Sequence, residues 1–301
     1  WKKHEGLPAI LSRAHATADY LDQRTIYVDE DELIVGNVAS KPHGLEASCW
    51  GPFWDDDDLD SILEGNYTIS DEDRATLRSL DSFWDGEDRQ MYEWQGRFYD
   101  DERLWPFIRS GILCPPWTSK VKGRGSGGAG FGWGLGIGLS FFVPDYGKII
   151  TEGIHKTLDE AKEELRNVRY VDNDSFDKAT YLQAVIIALE AMVRMYHCYG
   201  DTCLEAAAKC ADPKRKAELE QMADTCHWIA EKPSRGFRDA IQNFWFYWMM
   251  ITHGTVPGGR FDQYMYPFYK KDIESGVLTD ADVLKLIECL RIKIMQFNFV
   301  S

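Results

Sequence analysis

The sequence has 301 residues, of which 44% are hydrophobic and 28% are charged, and this balance is typical of a folded globular protein. Its net charge of −15 argues against a surface that binds nucleic acid or anionic lipid, because both require an excess of lysine and arginine. No apolar run reaches the roughly 18 residues of a membrane span, and no basic start followed by an apolar core indicates a secretion signal.

The first predicted elements are a helix and a pair of strands. Apolar residues recur at helical spacing between Leu7 and Leu21, which predicts a helix. Two β-branched runs, Thr25–Val28 and Leu33–Gly36, predict strands that pair around an acidic turn. Residues 41–54 have the composition of a loop.

Acidic residues then mark two predicted helix starts. The run Asp55–Asp58 predicts a helix cap, with a metal site as the weaker alternative because the alternating ligands of a calcium loop are missing. The segment Ser70–Asp73 resembles a capping box. Residues 80–117 are rich in aromatic side chains and predict helices with connecting loops.

Residues 123–138 read GRGSGGAGFGWGLGIG and contain two overlapping G-x-G-x-x-G patterns. A dinucleotide site needs a strand before the glycines and a helix after them, whereas CPPWTSKVK precedes this stretch and LSFFVP follows it. A P-loop would end in Gly-Lys-Ser/Thr, and that ending is missing. Apolar side chains alternate with the last glycines, so we expect a closely packed backbone that faces either the protein itself or a ligand.

The second half of the chain is predicted to be helical. Apolar spacing and the positions of four prolines predict helices at roughly 145–167, 174–210, 213–230, 233–252, 262–275 and 279–297. There is no internal repeat and no convincing linker. We therefore predict a predominantly α fold for this segment.

Cysteine and histidine give little sign of metal chemistry. An odd number of cysteines, seven, in a long chain without a secretion signal predicts free thiols in a reducing cytoplasm. Because no C-x-x-C or H-E-x-x-H spacing occurs, we expect buried thiols and no metal site. His155, His197 and His227 fall in predicted helices and favour a structural or exposed role. His253 enters the Gly/Pro-rich turn HGTVPGGR and remains a candidate functional residue.

Four segments resemble motifs of glycyl radical enzymes, the pyruvate formate-lyase-like group. The segment RFDQYMYPFY at 260–269, which follows PGG, is similar to the family pattern G-R-x-D-Q-Y-x-Y-P-[FY]-[FY]. The other matches are DEDELIVGN at 29–37, VPDYGK at 143–148 and KPSRGFRDAIQ at 232–242. All four occur in the order found in the family, which makes the resemblance specific.

The resemblance implies the N-terminal part of the ten-stranded α/β barrel of these enzymes. Residues 1–301 would form the N-terminal portion of a single domain. The family's catalytic cysteine lies in a C-x-x-E loop and its radical glycine in an R-V-S/A-G-Y loop, and neither pattern occurs in this sequence. We therefore expect no catalytic residue in this segment. The missing initial methionine and the apolar ending IMQFNFVS also lead us to expect a piece of a longer polypeptide.

The resemblance also implies how such a protein is activated. No cofactor would be bound, and the glycyl radical would be installed by an activating enzyme that carries an iron–sulfur cluster and uses S-adenosylmethionine. The implied partners are this activating enzyme, a small aromatic acid as substrate and a second copy in a homodimer. The implied setting is an anaerobic cytoplasm, with no nucleic-acid or membrane partner.

Aligned with the family, two segments border the substrate cavity. Their candidate substrate-binding residues are Phe131, Trp133, Leu139, Phe141, His253, Thr255 and Val256. Hydroxyl-eliminating relatives often place a His-Ser pair where this chain has Gly254 and Thr255. They also carry a Gly-His pair in the region where this chain has GLSFF at 138–142.

The first hypothesis about the reaction follows from the absence of the His-Ser and Gly-His pairs. The predicted wall is apolar and faces a helix that carries Phe244, Trp245, Tyr247 and Trp248. An apolar wall leaves a bound hydroxyl unpaired, so we expect an aromatic or largely apolar substrate. The leading hypothesis is decarboxylation of an arylacetate, with His253 or Thr255 on the carboxylate. The alternatives are radical addition of a hydrocarbon to fumarate, elimination at a C–O, C–N or C–S bond, and a non-catalytic binding fragment.

Overall fold

The computed structural model describes residues 2–42, 44, 68–84, 103, 143–251 and 258–296. The chain divides into two compact units, Trp1–Glu46 with Val143–Asn298, and Ala47–Phe142 with Phe299–Ser301. The described residues form helices and contain no β-strand. This confirms the predominantly α character predicted for the segment.

The helices follow most of the predicted boundaries within a few residues. After a short 3-10 helix at Lys2–His4 they are α1 (Ala9–Gln23), α2 (Asp71–Trp84), α3 (Tyr146–Glu152), α4 (Ile154–Arg166), α5 (Asn173–Lys209), α6 (Pro213–Glu231), α7 (Phe237–Ile251), α8 (Phe261–Glu274) and α9 (Asp280–Met295). Helix α2 belongs to the second unit and the others to the first. Within the described ranges, no helix has the length and apolarity needed to cross a membrane.

Local sequence signals explain where several helices begin. Helix α2 starts as predicted, because the Ser70 hydroxyl accepts a hydrogen bond from the amide of Asp73 at 3.0 Å. Helices α5 and α9 start with complete capping boxes. Helix α6 begins at Pro213, where the missing amide proton costs nothing, behind the capping carboxylate of Asp212.

One predicted helix is two helices in the structure. The segment predicted as 145–167 breaks at Gly153, which ends α3 and begins α4 with a φ of +82°. A Cβ atom at this position would lie 3.0 Å from the backbone nitrogen of Pro233. Two features of the break therefore require glycine at position 153. One is the left-handed backbone, and the other is the close approach of the loop after α6.

Helix α5 lies at the centre of the first unit. It packs against α1, α4 and α6, and its buried face includes Met195, Tyr196 and Tyr199. Helix α7 packs against α3, α6, α8 and α9. Its Trp245 and Phe246 side chains are fully buried and belong to the same hydrophobic core as the buried face of α5.

The predicted strand pair was wrong. Residues 25–28 and 33–36 form no strand, and they do not pair with each other in a sheet. The helices supply hydrogen-bonding partners instead. Gln242 bonds both backbone groups of Val35, and Trp245 donates to the carbonyl of Gly36 at 3.1 Å. The backbone groups of Val35 and Gly36 thus find their partners in side chains that are distant in sequence and not in a neighbouring strand.

Charged side chains hold the same extended segment at its acidic end. Arg215 donates to the carbonyls of Asp29 and Glu32 at 2.9 and 2.8 Å. Lys293, which is buried in α9, forms an ion pair with Glu32 and also donates to the carbonyl of Gly36. Burial raises the pKa of Glu32, whereas Lys293 favours its charged form and opposes that shift. The motif DEDELIVGN is therefore a buried strap fastened by α6, α7 and α9.

Candidate functional site

All seven predicted substrate-binding residues lie outside the described residues, as does the glycine stretch at 123–138. Their neighbours in sequence are described, however. Val143 directly follows the segment that contains Leu139 and Phe141. The segment that contains His253, Thr255 and Val256 lies between α7 and Gly258. The candidate site is therefore described through the residues that adjoin these two segments.

These two ends meet in the structure. A Cβ atom on Gly259 would lie 2.6 Å from Cγ1 of Val143, and one on Gly258 would lie 3.4 Å from Cζ of Phe244. The Tyr264 hydroxyl donates to the carbonyl of Gly258 at 2.5 Å. Val143 and Gly259 are therefore neighbours within the first unit.

Aromatic rings surround this meeting point. We call the group the junction cluster, and it consists of Val143, Tyr146, Phe244, Tyr247, Gly258, Gly259, Phe261 and Tyr264. The ring of Tyr146 is central, with centroids 4.9 Å from Phe244, 5.6 Å from Tyr247 and 5.8 Å from Tyr264. Phe261 packs edge-on against Phe244 at 5.0 Å.

The hydroxyl of one buried tyrosine in the junction cluster lacks a partner. Tyr146 is 1% exposed, and its hydroxyl makes no hydrogen bond within the described residues. Tyr247 is half-buried. Burial raises the pKa of both phenols, and Asp145 adds to the shift of Tyr247. Both groups therefore remain protonated at neutral pH and can donate a hydrogen bond.

The position of α7 against α3 is fixed by a buried polar chain. The side-chain amide of Asn243 donates to the carbonyl of Ile149 at 3.2 Å, and its oxygen accepts from the Tyr196 hydroxyl at 3.1 Å. This chain connects α3, α7 and α5. Because Phe244 and Tyr247 follow Asn243 within a turn, the same contacts set where these rings stand in the junction cluster.

The four aromatic residues of α7 that were expected to face the predicted wall do not all share one environment. Trp245 is fully buried, and its indole nitrogen is bound to the carbonyl of Gly36. Trp248 is also buried and stacks on Trp245 with centroids 5.5 Å apart. Phe244 and Tyr247 do belong to the junction cluster. The tryptophans of α7 therefore support the core and give no reason to expect a flat aromatic substrate.

Other polar groups of the first unit have structural roles. His155 and His197 both face Glu231, and His227 faces Asp201, so the three histidines connect helices as predicted for structural residues. Within the described ranges, no three Cys, His, Asp or Glu side chains are placed to share a metal ion. A cleft of about 410 Å³ beside Arg24 and Asn37 lies at the strap.

Sequence reasoning gave Tyr146 no role of its own. It entered only as the tyrosine of the VPDYGK match, and nothing in that pattern shows that its hydroxyl is buried without an acceptor among the described residues.

The chain is similar to known proteins over most or all of its length. A family model described as pyruvate formate lyase-like matches residues 1–301. Isethionate sulfite-lyase from Oleidesulfovibrio alaskensis is 30% identical over 312 residues, which cover 98% of this chain and 36% of that protein. Indoleacetate decarboxylase from Tractidigestivibacter scatoligenes is 29% identical over 164 residues, which cover 53% of this chain and 18% of that protein.

A solved structure shows the same fold. The glycerol-bound B12-independent glycerol dehydratase from Clostridium butyricum superposes with a TM-score of 0.80 at 30% identity. The superposition covers 100% of this chain and 36% of that chain. The present chain thus spans about a third of the length of these full-length proteins.

Proposed function

The chain belongs to the pyruvate formate lyase-like family of glycyl radical enzymes, and we propose that the complete protein is a lyase that eliminates a leaving group from a C–S or C–O bond. The helices described above correspond to the N-terminal part of the barrel fold of these enzymes. The activity of the complete protein, its substrate and its partners are part of this proposal.

The proposal is based on the fraction of the chain that each relative matches. The isethionate sulfite-lyase match covers 98% of the chain and the glycerol dehydratase superposition covers all of it. The indoleacetate decarboxylase match covers 53%. Both end-to-end relatives are named for the removal of a group from a small, oxygen-rich molecule. Elimination therefore replaces decarboxylation as the leading hypothesis.

The described structure supports the same change. Our preference for an aromatic substrate depended partly on the tryptophans of α7, and these are packed in the core. The residues predicted to form the apolar wall lie outside the described residues, so the expectation of an apolar substrate has no support from the described structure.

The proposed division of work leaves the radical chemistry to residues outside this sequence. A glycyl radical, installed by an activating enzyme that uses S-adenosylmethionine and an iron–sulfur cluster, would supply the hydrogen-atom abstraction that starts elimination. The residues of this chain would form one side of the substrate cavity and exclude water from it. Asn243, Gln242 and the strap would hold α7 and the junction cluster in place.

The direct test uses the complete protein together with its activating enzyme under anaerobic conditions. Electron paramagnetic resonance first establishes that the glycyl radical has formed. Isethionate, 1,2-propanediol and indoleacetate are then supplied separately, and sulfite, aldehyde and skatole are measured. We expect sulfite or aldehyde. A fully formed radical without either product contradicts the proposal, and failure to form any radical favours the non-catalytic alternative.

Decarboxylation of an arylacetate remains the second candidate, because indoleacetate decarboxylase matches about half of the chain. It predicts skatole, toluene or cresol from indoleacetate, phenylacetate or hydroxyphenylacetate. His253→Ala is the informative variant for this candidate, since His253 was assigned to the carboxylate. An unchanged KM and kcat would remove that residue from the site.

A further inference from the structure

We propose that the cleft beside Arg24 and Asn37 binds a small organic carboxylate, with the Arg24 guanidinium on the carboxylate group and the apolar part of the cleft on the rest of the molecule. This inference goes beyond the proposed function, because it concerns a binding site that needs no radical chemistry. The cleft lies within the first unit, where the end of α1 meets the end of the strap.

The size and position of the cleft are the first support. Its volume of about 410 Å³ falls in the range of roughly 300–1,000 Å³ that small-molecule sites occupy. The last turn of α1 and the residues directly after it form one side, and the residues from Asn37 to Ser40 form the other. A ligand in the cleft would therefore contact both α1 and the chain that leaves the strap.

The surroundings of Arg24 are the second support. Its guanidinium donates to the carbonyl of Asn37, and it also lies 3.7 and 3.9 Å from the sulfur atoms of Met195 and Met249. Thioether sulfurs are weak acceptors, so one carbonyl serves a group that has five N–H donors. The Nε atom is buried and has no hydrogen-bond partner among the described residues. Arg24 thus has capacity for a further acceptor.

Nearby arginines show what that acceptor is expected to be. Arg194 binds the carboxylate of Asp22 through two nitrogens, at 2.9 and 2.8 Å, and Arg215 lies 3.1 Å from the carboxylate of Glu218. Arg24 is half-buried and forms no ion pair with a carboxylate of the described residues. The planar guanidinium matches the two oxygens of a carboxylate, which makes this anion the preferred ligand.

The charges around the cleft permit an anion to enter. Asp19 is the acidic residue among those that line it, and this carboxylate already has two partners. The ring nitrogen of His4 lies 2.9 Å from it and the ammonium group of Lys3 lies 3.6 Å from it. Arg24 is therefore the charge of the cleft that an anionic ligand would neutralise.

The apolar part of the lining indicates the rest of the ligand. Val38 and Ala39 line the cleft, and so does Tyr20, whose ring centroid lies 5.7 Å from the guanidinium carbon of Arg24. A carboxylate with a short hydrocarbon body would place its charge on Arg24 and cover these side chains. Covering them removes apolar surface from water and adds to the affinity.

The first test measures the binding of butyrate to the complete protein without radical activation. A ligand-observed NMR titration should give a Kd on the order of 1 mM. Butyramide has nearly the same shape without the charge, and it should bind about tenfold more weakly because it loses the charge-assisted hydrogen bonds. Equal affinities would overturn the inference, since the cleft would then recognise only the hydrocarbon body.

The second test removes the guanidinium. Arg24→Gln should weaken butyrate binding about tenfold. Arg194→Gln is the matched control, because it removes a guanidinium that is bound to Asp22, and it should leave the affinity unchanged. An unchanged affinity in Arg24→Gln would contradict the inference.

A further pair of variants leaves Arg24 in place. Ser40 is exposed and lines the cleft, so Ser40→Asp adds a negative charge to the wall without disturbing the core. It should weaken butyrate binding about threefold, whereas Ser40→Asn, which has the same shape without the charge, should not. Equal affinities in these two variants would also count against the site.

A carboxylate side chain from the part of the complete protein outside this sequence is the competing occupant. In that case butyrate would not bind the wild type, and Arg24→Gln would lower the melting temperature as the loss of a buried ion pair does. Failure of butyrate to bind the wild type overturns the inference. If butyrate binds as expected but the activated protein converts none of the proposed substrates, the proposed function fails and this inference stands.

Discussion

Gln242 and Val35 are joined by two hydrogen bonds that copy the pairing between β-strands. The side-chain nitrogen of Gln242 donates to the carbonyl of Val35 at 2.8 Å, and its oxygen accepts from the Val35 amide at 2.9 Å. One helical side chain thus satisfies an extended residue that is 207 positions away in sequence. This contact fixes the position of the strap along α7.

Gln242→Leu should destabilise the protein strongly. Leucine keeps the helix and the volume but leaves two buried backbone groups of Val35 unpaired, which costs about 2–5 kcal/mol. Gln263→Leu is the matched control, because Gln263 lies on the exposed side of α8 and bonds only to Asp262. Urea or thermal unfolding checks the difference. Equal effects of the two substitutions would contradict the role assigned to Gln242.

Lys293→Met should be more costly than the loss of a surface ion pair. The side chains of Lys293 and Glu32 are 4% and 7% exposed, so methionine leaves a buried carboxylate without its counter-charge, at a cost of about 3–5 kcal/mol. Combining it with Glu32→Gln should restore part of the free energy of unfolding. Lys270→Met removes the exposed pair with Glu274 and should change this energy by less than about 1 kcal/mol. No rescue by the double substitution would argue against a direct charge interaction.

Gly153→Ala tests why one predicted helix is broken. Gly153 and Gly276 both have a left-handed φ, at +82° and +70°, so alanine strains the backbone at each. Only at Gly153 does the added Cβ meet another part of the chain, 3.0 Å from the nitrogen of Pro233. We expect Gly276→Ala to cost about 1 kcal/mol and Gly153→Ala measurably more. Equal losses would show that backbone strain alone requires the glycine.

The helices were predictable because their signals are local. Apolar spacing, the Ser70 capping box and the proline at the start of α6 each act within a few residues, and the structure confirms them. The strand pair was wrong for the opposite reason. Both segments have the local preference of strands, but residues 33–36 bond to Gln242, Trp245 and Lys293, and no spacing in the sequence indicates that pairing. The carbonyl of Thr25 accepts from the side chain of Asn37.

The candidate site stays a prediction. The resemblance to the family assigned two segments to a cavity, and the described residues that adjoin them, Val143 and Gly259, lie close together. The seven assigned side chains lie outside the described residues and stay predictions. The orientation of α7 could not be read from composition. Trp245 faces the core and Tyr247 the junction cluster, and only the packing against Gly36 and Tyr146 decides this.

We propose that the complete protein eliminates at a C–S or C–O bond and does not primarily remove carbon dioxide. A competition assay distinguishes these two reactions. The activated protein is given isethionate, 1,2-propanediol and indoleacetate at equal concentrations, and sulfite, aldehyde and skatole are quantified from the same reaction. We predict that sulfite or aldehyde exceeds skatole. Skatole as the dominant product would contradict the account.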